Sequence, residues 1–116
     1  MTLQRIGVAA RYSDAVIHND LIFLAGHVPE NSLGQTIEVQ TQDVLDQIDD
    51  TLQQCGSDKS KIISATIYLA DMNDFSGMNS VWDKWVVAGH TPARATVQAK
   101  LAVTEYRLEI VMVAAR

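Results

Sequence analysis

Only one of the 116 residues is cysteine, Cys55, so no disulfide can close within the chain, and a reducing compartment is expected. Basic residues are scarce, nine against fourteen acids, for a net charge of −5. That balance argues against a nucleic-acid or membrane-surface protein, which needs a basic footprint. Long apolar runs are missing as well. Stretches such as Leu21 to Gly26 are far too short to span a bilayer. The start, Met1-Thr2-Leu3-Gln4-Arg5, lacks the apolar run of a signal peptide. A soluble cytoplasmic protein is the expectation. No repeat, low-complexity tract, linker, Gly-rich phosphate loop or serine elbow is present.

What is present suits one folded domain spanning residues 1–116. Hydrophobic residues make up 47% of the chain, which excludes disorder, collagen and coiled coil. Area scaling gives roughly 6,300 Å² exposed when folded against about 18,600 Å² unfolded, enough burial for a core without staples.

The hydrophobic period changes from segment to segment. Arg5 to Val8 is a short strand. Ala15 to His18 and Leu21 to Ala25 flank Asn19-Asp20, a two-residue turn that predicts a hairpin. Gly26 to Gly34 reads as a loop carrying Pro29. Val44, Leu45, Ile48, Leu52 and Cys55 then form one stripe of a helix that Gly56 stops. Ile62 to Ala70 alternates as a strand, with Ile63, Ala65, Ile67 and Leu69 on one face and Ser64, Thr66 and Tyr68 on the other. Asn73 or Asp74 can cap a second helix, whose buried stripe is Phe75, Met78, Trp82, Trp85 and Val86, and which Gly89 and Pro92 end. Arg94 to Ala99 and Arg107 to Ala115 are the last strands. The order β-β-β-α-β-α-β-β predicts an α+β two-layer sandwich, with both helices on one face of the sheet. The last strand is apolar on both faces, however: Leu108, Ile110, Met112 and Ala114 on one, Val111, Val113 and Ala115 beside Glu109 on the other. With no helix left to cover its second face, another subunit is expected there.

Most reactive side chains have plain readings. His18, His27 and His90 are far apart, without a second ligand at metal spacing, and read as surface or loop residues. Cys55 reads as a small core residue, Asp43 to Asp50 as a solvated acidic face, and Trp82 and Trp85 as core packing. One segment differs. Pro92-Ala93-Arg94-Ala95-Thr96-Val97-Gln98 sets an arginine at the start of a strand, and alternation puts Arg94, Thr96 and Gln98 on one face. The expectation is a shared polar face with Thr66, Tyr68 and Glu109. A guanidinium fork there matches a carboxylate through two charge-assisted hydrogen bonds. The plain alternative is an ion pair between Arg94 and Glu109.

That segment, with Leu108-Glu109-Ile110 and the Val-Ala-Ala end, resembles the C-terminal signature of the Rid family. These are the reactive intermediate deaminases, also called RidA/YjgF, with older labels "endoribonuclease L-PSP" and "translation initiation inhibitor". The likeness runs nearly end to end. It includes Ala10 to Val16, Phe23-Leu24-Ala25-Gly26-His27-Val28-Pro29, and Ala65 to Phe75. Trp82 to His90 resembles the YoaB-like branch. The resemblance implies a chorismate-mutase-like fold and a homotrimer, with three sheets forming a central barrel and active sites in the inter-subunit clefts. It implies hydrolysis of 2-imino and enamine acids such as 2-aminoacrylate to a 2-keto acid and ammonia, with no cofactor. Arg94 matches the family's carboxylate-binding arginine, Glu109 the glutamate that positions or activates water, and Tyr12 the tyrosine at the cleft rim. Backbone groups around Gly26 and Thr96 would complete the pocket. Two departures bear on substrate preference and rate. Better-known members carry serine where this chain has Ala25, and often cysteine where it has Thr96. His27, beside Gly26, is a candidate substitute for the missing serine. Two other readings stay open: a 2-keto-acid-binding protein with weak turnover, and the endoribonuclease label, which the net charge opposes.

Overall fold

A computed structural model describes residues 2–116. Three strands open the chain: β1 (Gln4–Val8), β2 (Ser13–His18) and β3 (Leu21–Leu24). Helix α1 (Ile37–Gln54), strand β4 (Ile62–Leu69), helix α2 (Phe75–Trp85) and strands β5 (Ala93–Gln98) and β6 (Leu108–Ala115) follow. The element order is the one the sequence predicts, and most strand ends agree within two residues. The architecture is α+β, two helices on a six-stranded mixed sheet of order β1-β2-β3-β6-β4-β5. Among the described strands only β4 and β5 pair in parallel, because the α2 crossover returns the chain in the same direction. The accessible surface is 6540 Å², close to the scaling estimate for a folded chain of this mass.

Local chemistry explains the elements. His18 and Leu21 pair across the Asn19-Asp20 turn, and Asn19 takes the left-handed conformation that asparagine tolerates, at φ 56°. Helix α1 ends in a Schellman motif. Ser57 N–H donates to the Leu52 carbonyl and Gly56 N–H to that of Gln53, with Gly56 at φ 75°. The α1 stripe Val44, Leu45, Ile48, Leu52 and Cys55 is buried as expected, against Ile17, Ile22, Ile67 and Ile110 of the sheet and Met78, Trp82 and Trp85 of α2. Cys55 is a core residue, and burial pushes its thiol pKa up.

Three local expectations are corrected. Ile63 does not join the core face of β4. The register against β6 slips between Ile62 and Ser64, so Ile62 is buried and Ile63 bulges into solvent. Neither Asn73 nor Asp74 caps α2 through its side chain. Asp71 accepts from Asn73 N–H in the preceding turn, and Asp74 forms an ion pair with Arg107 at 3.1 Å. Helix α2 stops at Trp85, four residues before Gly89. The β-branched pair Val86-Val87 leaves the helix, and Gly89, at φ 81°, serves the turn that His90 N–H closes onto the Val87 carbonyl.

The last strand is covered on one side only. Leu108, Ile110, Met112 and Ala114 are buried beneath the helices, while Glu109, Val111, Val113 and Ala115 are half-buried on the open side. That open side also carries Leu21, Phe23 and Val97, each more than 40% exposed. The sheet therefore presents an uncovered apolar face at its centre.

Gln40 bolts two loops to this layer. Its fully buried amide donates to the carbonyls of Ser32 and Glu105 and accepts from the Arg107 N–H at 2.8 Å. Gln40→Ala leaves these buried backbone groups unpaired, and urea denaturation is expected to show a loss of about 2–4 kcal/mol. An unchanged midpoint would contradict the bolt.

Candidate functional site

The sheet register decides where the sequence-predicted residues lie. Arg94 stands opposite Ala65 of β4, Thr96 opposite Ile67 and Gln98 opposite Leu69. Paired residues share a face, so these three point to the helix side. Glu109 stands opposite Tyr68 and points to the open side. The shared polar face expected of Arg94, Thr66, Tyr68 and Glu109 does not exist, nor does an Arg94–Glu109 ion pair. Strand β4 lies between β5 and β6, which puts the two backbones about 10 Å apart as well.

Arg94 lies on an edge strand against α2. One terminal guanidinium nitrogen donates to Asn79 Oδ1 at 2.8 Å. The guanidinium carbon sits 5.3 Å from the Trp82 ring centroid and 5.8 Å from that of Phe75. Phe75 is thus not fully in the core, being 37% exposed at the rim. Near Arg94, the Thr96 hydroxyl is buried with no hydrogen-bond partner among the described residues. Gln98 is occupied, accepting from the Met72 N–H.

The second cluster gathers around Gly26. His27 and Ile110 exchange backbone hydrogen bonds, at 2.9 and 3.0 Å, and this bridge extends the β3 side past Ala25 and Gly26 along β6. Gly26 is thereby laid against Glu109. A Cβ there would overlap the Glu109 carboxylate and stand 2.9 Å from its Cδ. Ala25 N–H donates to the Asp14 carbonyl, and the Tyr12 carbonyl closes the β1–β2 turn by accepting from Ala9 N–H. Tyr12, Ala25, Gly26 and His27 line one cavity of about 250 Å³, with Asp14 and Asp50 on its walls. Tyr12 is more than half exposed at its mouth.

His27 departs from both of its expected roles. It is buried rather than on the surface, and Nδ1 donates to the Ala25 carbonyl at 2.8 Å. Nε2 meets the Thr51 hydroxyl at 3.0 Å. A carbonyl can only accept, so Nδ1 carries a proton, and Nε2 is paired with the Thr51 hydroxyl. With both nitrogens committed, His27 cannot take over the missing serine's role; it pins the Gly26 turn to α1. The acidic run is also partly structural. Asp49 accepts from Trp85 Nε1 at 3.0 Å. Asp43 ties the loop after Gly26 to α1: burial raises its carboxyl pKa, but hydrogen bonds from Ser32, Gln47 and Asn31 together outweigh that and hold it below the usual range.

Asn79 was missed in the sequence, although its signal was there. Phe75, Asn79 and Trp82 recur at spacings of four and three, which places the amide on the same face of α2 as two aromatic rings.

The endoribonuclease L-PSP family model matches residues 2–116. The chain belongs to this family. It is 54% identical over 115 residues to the RutC family protein YoaB of Escherichia coli, covering 99% of each chain. A member of the YjgF protein family from Neisseria meningitidis has the same fold at a TM-score of 0.97 and 53% identity, over 100% of this chain and 96% of that one. Reactive Intermediate Deaminase A, a chloroplastic protein of Arabidopsis thaliana, is 34% identical over 108 residues, covering 89% of this chain and 57% of the relative. The Rid/YjgF resemblance read from the motifs is thus borne out, and YoaB is among the similar relatives.

In this L-PSP-family chain the contact between Gly26 and Glu109 is testable by itself. Gly26 is exposed and lies outside the left-handed region, so Gly26→Ala is expected to fold normally. Its crystal structure is expected to show Glu109 swung away into another rotamer; an unmoved carboxylate would contradict the contact.

Proposed function

We propose that the protein hydrolyses reactive 2-imino and enamine acids to 2-keto acids and ammonia, at clefts between the subunits of a homotrimer. One observation carries this reading. Arg94 and Glu109 lie on opposite faces of the sheet, one on edge strand β5 and the other beside Gly26, so a site using both must draw them from two copies. The uncovered apolar face around Phe23, Val97 and Val111 supplies a reason for copies to associate, since covering it removes further apolar surface from water. The relative named Reactive Intermediate Deaminase A supports the reaction class.

The roles follow from the chemistry of each group. The Arg94 fork of one subunit holds the substrate carboxylate, with the backbone at Thr96, two residues along the same face of β5, beside it. The next subunit contributes Glu109, the backbone at Ala25 and Gly26, and Tyr12 at the rim. An enamine first takes a proton at its terminal carbon and becomes the iminium. Water, oriented by the Glu109 carboxylate, adds to the iminium carbon as Glu109 takes its proton. Glu109 returns that proton to nitrogen, the C–N bond breaks as the new hydroxyl gives its proton to Glu109, which passes it to solvent to balance the one taken up in forming the iminium, and ammonia and the 2-keto acid leave. No step calls on a cofactor.

The test is a coupled assay in which an amino-acid oxidase generates 2-imino acids in situ. Added protein is expected to speed keto-acid and ammonia release, and Arg94→Ala to lower that rate at least ~100-fold while leaving the assembly intact. Full activity in Arg94→Ala would refute the assignment. Keto-acid binding without acceleration would replace it with a carboxylate-binding role.

A further inference from the structure

The chain holds fourteen acidic residues, yet none lies within ion-pair distance of Arg94 among the described residues; Arg107 and Asp74 alone form such a pair. The Arg94 guanidinium is held instead by three uncharged groups on one face of α2. Trp82 and Phe75 present rings at 5.3 and 5.8 Å, and the Asn79 amide oxygen accepts at 2.8 Å. An aromatic face attracts a guanidinium without neutralising it. An amide oxygen likewise fixes its direction and leaves its charge intact. Of the five guanidinium N–H donors, one is taken by Asn79. Trp82 is itself held in the core, 5% exposed, with its ring centroid 5.6 Å from that of Trp85, so the shelf is rigid.

We propose that Asn79 and Trp82 are positioning residues that hold Arg94 as a charged but uncommitted fork, and that the neutrality of Asn79 is what lets this fork accept the carboxylate of a 2-imino or 2-keto acid. The inference rests on the reading of Arg94 as a carboxylate anchor. It explains why an amide, not an acid, occupies the position. A carboxylate there would form the ion pair internally and compete with the substrate for the same donors.

The experiment measures pyruvate, the product of 2-aminoacrylate hydrolysis, binding to the assembled protein by calorimetry at fixed ionic strength, alongside the coupled assay. Asn79→Asp keeps the side-chain shape and is expected to fold, to keep Arg94 oriented and to weaken pyruvate at least ~10-fold. Trp82→Leu is expected to weaken it about 3- to 10-fold, with Trp82→Phe restoring most of the loss. KM is expected to move with Kd while kcat stays nearly constant, a split that general loosening of the fold would not produce. If Trp82→Leu does not fold, Asn79→Asp decides. Pyruvate binding that is lost in Arg94→Ala but unchanged in Asn79→Asp overturns this proposal alone. Pyruvate binding that Arg94→Ala leaves untouched removes the anchor reading, and this inference with it.

Discussion

Side chains alternate along a strand, and each residue of β5 takes its face from the β4 residue opposite. The molecule's functional geometry depends on that one register. Ala65 faces the helices, so Arg94 does too, and the guanidinium meets α2 rather than the open side of the sheet. Tyr68 faces the open side, so Glu109 does. A slip of one residue would reverse the first assignment and bring the arginine onto the glutamate's face. The register thus puts two groups of opposite charge on opposite faces of one sheet, in addition to the strand that separates them.

Around that separation the loops are held mainly by buried polar groups, with an exposed ion pair, Arg107–Asp74, beside them. Gln40 joins the loop before α1 to the segment before β6, and His27 joins the Gly26 turn to α1 through Thr51. Each is satisfied at both ends of its polar group, so burial there carries little penalty. The His27–Ile110 backbone bridge lays Gly26 against Glu109 on one side of the molecule. On the far edge, the aromatic and amide face of α2 does the same for Arg94 without a counter-charge.

Much of this was legible in the sequence. The two helical stripes, the Asn19-Asp20 turn and the element order follow from hydrophobic period and turn chemistry, and the family from ordered motifs. The face of β5 was not legible. Alternation tells which residues of a strand share a face, but not which layer that face meets. Arg94, Thr96 and Gln98 read as sharing a polar face with Thr66, Tyr68 and Glu109, yet they turn to the helix side, where α2 offers Arg94 an amide and two rings, while Ala95 and Val97 turn to the open side. The Ile63 bulge was hidden for a related reason, since an inserted residue breaks the period without changing composition. His27 escaped because its burial depends on Thr51, twenty-four residues away.

The central claim is that one active site takes its arginine and its glutamate from different copies of the chain. Mixing subunits measures this directly. Arg94→Ala and Glu109→Ala proteins, each inactive alone, are unfolded together in equal amounts and reassembled. If the site forms in trans, each cleft draws its two residues independently, and activity returns to about one quarter of that of the parent protein. If the mixture stays as inactive as its components while the assembly re-forms, both residues act within one chain, and the account is wrong.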